Sequence, residues 1–261
     1  MTRNFGVSIL TASGLTSAGE LLFSRDGILK AAIAASKAGL GIQMLPLATI
    51  GSWRLTAFEQ LLQDLRKHNV DVLTFEDRWG GDQWTHPWVH DLLEKREPKA
   101  VVAYYLMFPW FYTGVKNRIE LLRRYYPRAL GIDLPAGKVF EINPNVALGR
   151  QWIKRISSAD DDIKYVIDTH HLLEFGGLKT AEGILNFVLR RQNNAMAAIH
   201  VQFRKKELLE EFMSGRGASL ALLANLKLYA KGLPVIFELT PELCTIETLN
   251  RMRQVVDGVI D

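Results

Sequence analysis

Tyr165-Val-Ile-Asp168, followed at once by Thr169-His170-His171, is a short apolar run that stops on a carboxylate. Three other segments share the design: Lys138-Val-Phe-Glu141, Ala197-Ala-Ile-His200 and Pro234-Val-Ile-Phe-Glu238. A buried strand gains nothing by ending on a charge, because taking an unpaired charge out of water is strongly unfavourable. Three carboxylates converging without a cation would also repel one another. If the four segments are parallel strands of one barrel, their terminal side chains meet at one mouth. A divalent metal is then the simplest way to hold them.

Outward from these four, apolar runs rich in Val, Ile, Leu and Phe begin near Phe5, Gly41, Val70, Ala100, Val139, Tyr165, Ala195 and Leu233. Segments of helical periodicity separate them. Ala31–Ala38 is rich in alanine and stops at Gly39, and 55–68 sets Leu55, Phe58, Leu61, Leu62 and Leu65 on one face. The stretch 115–126 repeats the pattern, with Ile119, Leu122 and Tyr126 inside and Arg118, Arg123 and Arg124 outside. Further helices are predicted over 146–156, 181–191, 218–231 and 246–256. Continuous apolar strands alternating with helices imply a parallel sheet covered on its outer face. Eight such units in 261 residues predict an α/β fold, a single (β/α)8 barrel in one domain over residues 1–261. An open doubly wound sheet is the structural alternative. Two places fit less well: 128–137 reads as an irregular lead into strand five, and 205–217 as an extra short helix with a Gly-rich loop.

Composition narrows the class. At 48% hydrophobic the chain can bury a large core, and a formal charge of +4 permits anionic partners without demanding them. Basic residues are scattered over helix faces, which argues against a nucleic-acid partner. The lone cysteine, Cys244, rules out an internal disulfide and favours a reducing compartment. The longest uncharged stretch, 100–115, is interrupted by Pro109 and falls short of the ~20 residues a spanning helix needs. The sequence therefore predicts a soluble, cytoplasmic protein without a membrane partner, and is compatible with a homo-oligomer.

At the C-terminal ends of barrel strands, side chains line the active site. Glu141, Asp168, His200 and Glu238 would close strands five to eight, on one arc of the mouth. Three oxygen donors and an imidazole suit Mn, Mg, Co or Zn with positions left for substrate oxygens. Each residue also has a plainer use. Asp168 before Thr169 can cap a helix, Glu141 can bond amides of the Asn143-Pro144-Asn145 turn, and His200 can be a satisfied core histidine.

The run Val166-Ile-Asp-Thr-His-His171 resembles the Asp-Thr-x-His segment of the xylose isomerase-like barrel superfamily, which includes sugar isomerases and epimerases and the endonuclease IV-type apurinic endonucleases. The resemblance extends to Phe140-Glu141-Ile-Asn, Ile199-His200-Val-Gln, Pro234-Val-Ile-Phe-Glu238, the passage 62–75 and Lys37-Ala-Gly-Leu-Gly-Ile-Gln43. It implies that Glu141, Asp168, His200 and Glu238 bind one divalent metal ion, with His171 nearby as an outer partner or second-metal ligand. It also implies proton transfer next to a carbonyl through a metal-stabilised enediolate. Glu141 and Glu238 would flank the substrate carbon, one removing a proton and the other returning one.

The endonuclease branch adds histidines at strands three and four. Here strand three ends Thr74-Phe-Glu76-Asp77, strand four is predicted to end Leu106-Met-Phe-Pro109, and His86 and His90 lie well beyond strand three. That disfavours a trinuclear phosphodiesterase site. Strand two ends Gln43-Met-Leu-Pro46, where many isomerase-like members carry an acid, so no particular sugar is indicated.

Around the metal, Trp79, Trp84, Trp88, Phe108, Trp110 and Tyr112 could pack on sugar C–H faces or fill the barrel mouth. Arg204, Lys205 and Lys206 follow His200 and could neutralise a substrate carboxylate or phosphate, or form a solvated helical turn. Glu76, Trp110, Arg204 and Lys206 are the expected substrate contacts. Gly176-Gly-Leu-Lys-Thr180 lacks P-loop spacing, no Gly-x-Gly-x-x-Gly follows a strand, and Cys244 has no local histidine. The expectation is a metal-dependent isomerase or epimerase acting on a small sugar or other polyhydroxylated carbonyl compound. The rivals are a metal-dependent hydrolase or apurinic endonuclease-like phosphodiesterase on the same barrel, and a non-catalytic barrel that binds a metabolite.

Overall fold

The strands are short: Phe5–Ser8 (β1), Gly41–Met44 (β2), Val72–Glu76 (β3), Leu130–Ile132 (β4), Val139–Ile142 (β5), Lys164–Asp168 (β6), Met196–Phe203 (β7) and Val235–Leu239 (β8). The computed structural model describes residues 4–16, 24–44, 55–76, 117–132, 138–144, 162–191 and 196–260. One sheet of eight strands runs in the order β4-β3-β2-β1-β8-β7-β6-β5, and its pairings are parallel. First and last strands are hydrogen-bonded neighbours, and the two ends of the order, β4 and β5, touch each other. The sheet therefore curls round into a (β/α)8 barrel, short only of a hydrogen-bonded seam between β4 and β5 among the described residues.

The described α-helices are Ile9–Ala12 (α1), Arg25–Lys37 (α2), Leu55–Lys67 (α3), 117–125 (α4), Thr169–Arg191 (α5, broken at the non-helical Gly176 and Gly177), Lys206–Met213 (α6), Ala218–Leu226 (α7) and Ile246–Ile260 (α8). α2 starts six residues earlier than its alanine run, because Ser24 accepts a hydrogen bond from the Gly27 amide at 3.0 Å and Asp26 sits in the first turn. It ends at Gly39, whose φ of +73° is the left-handed conformation that glycine adopts cheaply. Phe58, Leu61, Leu62 and Leu65 of α3 are buried as their spacing predicts, but Leu55, at the first position of the helix, is exposed. On α4, Ile119 and Leu122 are buried, as is Tyr126 just after it, and Arg123 and Arg124 are exposed, but Arg118 is buried rather than outward, and burial pulls its pKa down. The extra short helix after strand seven is present as α6, followed by Gly215 and Gly217 at positive φ. No described helix is long and apolar enough to cross a membrane.

The fourth strand departs from the sequence expectation. The segment paired with β3 is Leu130–Ile132, inside the stretch expected to be an irregular lead. Three residues with a central glycine are too few to show a period, so the longer apolar run at Ala100 masks them. That run, the predicted helix 146–156, and Trp79, Trp84, His86, Trp88, His90, Phe108, Trp110 and Tyr112 lie outside the described residues.

Strand alternation splits the apolar side chains into two sets. Val7, Ile42, Phe75, Ile199, Val201 and Phe237 face the helices and belong to the main core. Ile132, Val166 and Ala198 form a separate cluster with Leu130 and Val139. Residues from β4 to β7 can meet in this way only inside the barrel. On the other side of the interior, β2 and β3 step past Leu73: Ile42 pairs with Val72 and Gln43 with Thr74. Leu73 lies over Gly41 and Gly6, where a Cβ would come within 2.5 Å of its Cγ and 2.9 Å of its Cδ1 respectively. The two glycines leave the room that this leucine and Ile236 fill.

Candidate metal centre at the barrel mouth

The strand faces that carry this inner apolar layer continue upward into polar residues. Val139 is followed two residues on by Glu141, Val166 by Asp168, Ala198 by His200, Thr74 by Glu76, and Ile236 by Glu238. Period-two alternation thus delivers four carboxylates and an imidazole into one mouth. All are buried: Asp168 and His200 are 0% exposed, Glu76 2%, Glu238 7% and Glu141 8%. His171, one turn into α5, is 7% exposed and joins them.

These six side chains fall into two groups whose ligand atoms lie within 4.8 Å of one another: Glu141 with Asp168 and His171, and Glu76 with His200 and Glu238. His171 Nε2 is 3.5 Å from Glu141 Oε1, and His200 Nδ1 is 3.5 Å from Glu238 Oε1. The groups adjoin, since Asp168 and His200 are register partners across β6 and β7. The four ligands expected from the strand ends are therefore divided two and two. His171, expected as an outer partner or second-metal ligand, and Glu76, expected as a substrate contact, each complete a group. Carboxylates and imidazoles with this burial are the donor set that a divalent cation takes.

Neighbouring elements fix these side chains. The His171 amide donates to Asp168 Oδ1 at 2.8 Å, so Asp168 caps α5 as well as facing the mouth. The plainer use foreseen for Asp168 is real, and it occupies one carboxylate oxygen. Gln43, fully buried at the end of β2, donates through Nε2 to Glu76 Oε2 at 3.0 Å, and the same nitrogen is 3.4 Å from His200 Nε2. At the end of β8, the Thr11 hydroxyl donates to the Leu239 carbonyl and accepts from the Leu239 amide, both at 2.8 Å. These two hydrogen bonds to α1 hold the backbone beside Glu238. A Cβ on Gly14 would strike the Pro241 carbonyl, so the loops after β1 and β8 pack without space for a side chain there.

Of the expected substrate contacts, Glu76 sits in the mouth, Trp110 lies outside the described residues, and the two cations part company. Lys206 opens α6 and pairs with Glu210 at 3.6 Å on an exposed face. Arg204 lines a cavity beside the mouth together with His170 and Gln202. Burial holds His170 below the usual imidazole range, with Glu174 and Glu238 pulling upward and Arg204 and Lys205 downward. Cys244 is buried and its thiol is pushed up to about 12 by desolvation, which suits a structural residue. Gln43, Thr11 and Gln202 carry no sequence signal of a role in the site, apart from the polar ending of Gly41-Ile-Gln43.

No protein-family model matches this chain, and no curated protein matches it. Similar solved structures include a D-allulose 3-epimerase from Methylomonas sp., 15% identical over 98% of this chain and 97% of that one, with a TM-score of 0.47. A 3-keto-D-glucoside 4-epimerase from E. coli is 11% identical over 99% of both chains, with a TM-score of 0.46. A cyclic α-maltosyl-(1→6)-maltose hydrolase from Arthrobacter globiformis is 11% identical over 98% of this chain and 81% of that one, with a TM-score of 0.41.

Proposed function

We propose that the protein is a divalent-metal-dependent isomerase or epimerase of a small sugar or other polyhydroxylated carbonyl compound, acting from one catalytic domain. The observation that supports this is the collection of four buried carboxylates and two histidines at the C-terminal mouth of a parallel barrel. Such a concentration of negative charge works against folding, and catalysis is the usual reason a fold tolerates it. Glu141, Asp168, His200 and Glu238 would hold one Mn, Mg, Co or Zn ion, with His171 beside Asp168. When bound, the ion supplies Lewis-acid polarisation of adjacent substrate oxygens.

The proton chemistry falls to the chain. Glu141 and Glu238 stand on β5 and β8, separated by β6 and β7, so a substrate carbon between them meets a carboxylate on either side. One takes the proton next to the carbonyl and the other returns one, to the opposite face in an epimerisation. The imidazoles beside them, His171 at Glu141 and His200 at Glu238, each lie 3.5 Å from the carboxylate. The test is deuterium uptake from solvent into a panel of keto-sugars by the metal-loaded protein. Glu141→Gln and Glu238→Gln should each lower exchange at the reacting carbon by at least about a hundredfold, the scale of general base catalysis. Exchange retained in both variants would remove them as bases.

The division into two ligand groups favours one rival, a metal-dependent hydrolase with an ion in each group. Against its apurinic endonuclease form, β3 closes on Glu76 and β4 on Ile132, neither of them histidine.

A further inference from the structure

A neutral imidazole carries its proton on one ring nitrogen and offers a lone pair on the other, and the neighbour of each nitrogen decides which is which. His200, fully buried, has a different neighbour at each end of its ring. Nδ1 faces Glu238, with Oε1 at 3.5 Å. Nε2 lies 3.4 Å from the side-chain nitrogen of Gln43, and that nitrogen also donates to Glu76 Oε2 at 3.0 Å. Gln43 is fully buried as well, two residues beyond Gly41 on the inner face of β2. Its amide nitrogen has two hydrogens, one for Glu76 and one for His200. Its Oε1 is buried and has no hydrogen-bond partner among the described residues. A buried carbonyl oxygen left in this way is unfavourable unless it serves in another state of the site.

We infer that Gln43 is a positioning residue for His200, and that the orientation of its amide sets which ring nitrogen carries the proton. In the ion-free protein the amide donates to Nε2, so the ring proton sits on Nδ1, towards Glu238. A cation held with Glu238 needs the opposite arrangement, a lone pair on Nδ1 and the proton on Nε2. This second state rests on the metal reading proposed above. It is reached by a half-turn of the amide, which exchanges its two ends and lets Oε1 accept from Nε2–H. The ring gives up its Nδ1 proton, takes one on Nε2 and stays neutral. Because the half-turn also ends the bond to Glu76, Gln43 releases that carboxylate as it prepares His200. Thr74, the register partner of Gln43, has a buried hydroxyl with no hydrogen-bond partner among the described residues, an acceptor on the next strand for the turned amide nitrogen.

The test reads the imidazole nitrogens by 15N NMR in the full chain, stripped of metal and then loaded with zinc, at a pH where the ring is neutral. A His200→Gln spectrum assigns the signals of that ring among the 6 histidines. The stripped parent should show the proton on Nδ1, and zinc should move it to Nε2. In stripped Gln43→Glu, where residue 43 only accepts, the proton should already sit on Nε2; in stripped Gln43→Met the preference for Nδ1 should disappear. Zinc affinity should fall by about tenfold in Gln43→Met, the scale for losing the outer partner of a ligating histidine, and recover in Gln43→Glu. A proton on Nε2 in the stripped parent, or a tautomer that ignores residue 43, would overturn the inference. The parent spectrum alone exposes it to failure, even if a substitution at this buried position unfolds the chain. A parent that takes up no zinc while its tautomer follows residue 43 would contradict the metal reading and leave the positioning role standing.

Discussion

The interior of this barrel has two layers made by the same strands. Below, Leu73 and Ile236 fill the space above Gly6 and Gly41, and Ile132, Val166 and Ala198 close the other side. Above, one step of two residues along each strand, lie Glu76, Glu141, Asp168, His200 and Glu238, all buried. The lower layer is packed close enough that a methyl group would collide. The upper layer places like charges side by side. Identical backbone geometry thus serves stability in one layer and opposes it in the other. The contrast is what a fold with its site at the strand C-termini should show.

Substitutions in the two layers should therefore have opposite signatures. Gly41→Val should give the largest stability loss, about 1–3 kcal/mol by overpacking against Leu73, with the metal content per folded chain unchanged. Thermal or urea unfolding with elemental analysis reads both, and loss of metal at full stability would erase the distinction. Glu76→Gln should do the opposite in the metal-free protein, stabilising it by about 1 kcal/mol through relief of repulsion while the amide keeps an acceptor for Gln43. Destabilisation would show that Glu76 is a structural acid. The smallest effect is expected outside the barrel. Lys67 and Arg25 hold the Asp64 carboxyl down at about 2, so its contribution is present above the ordinary value of 3.8 and fades as pH falls towards 2. Asp64→Asn should flatten the stability profile only on that acid limb; an equal loss at neutral and acid pH would assign Asp64 a role other than its charge.

The strand ends were legible because each couples an apolar run to a single ionisable residue, a pairing with a physical cost that packing alone does not repay. Asp168, His200 and Glu238 could be placed on strands for this reason before any contact was known. β4 was not legible: Leu130-Gly-Ile132 is too short for a period, and its place is set by pairing with β3. The grouping was hidden as well. Which carboxylate joins which imidazole depends on barrel register and on reach across the mouth, as Glu76 on β3 meeting His200 on β7 shows. Arg118 misled because one arginine on an otherwise charged helix face reads as solvated, and only its burial shows the difference.

The most direct test of the central claim is the metal content of the purified protein by elemental analysis, with Asp168→Asn alongside. The account predicts about one Mn, Mg, Co or Zn per chain, with most of it lost in the variant as expected for removal of a charged ligand. Two ions per chain would put the hydrolase reading first. No ion, even after divalent cations are added, would contradict the account and leave the buried acids a structural feature.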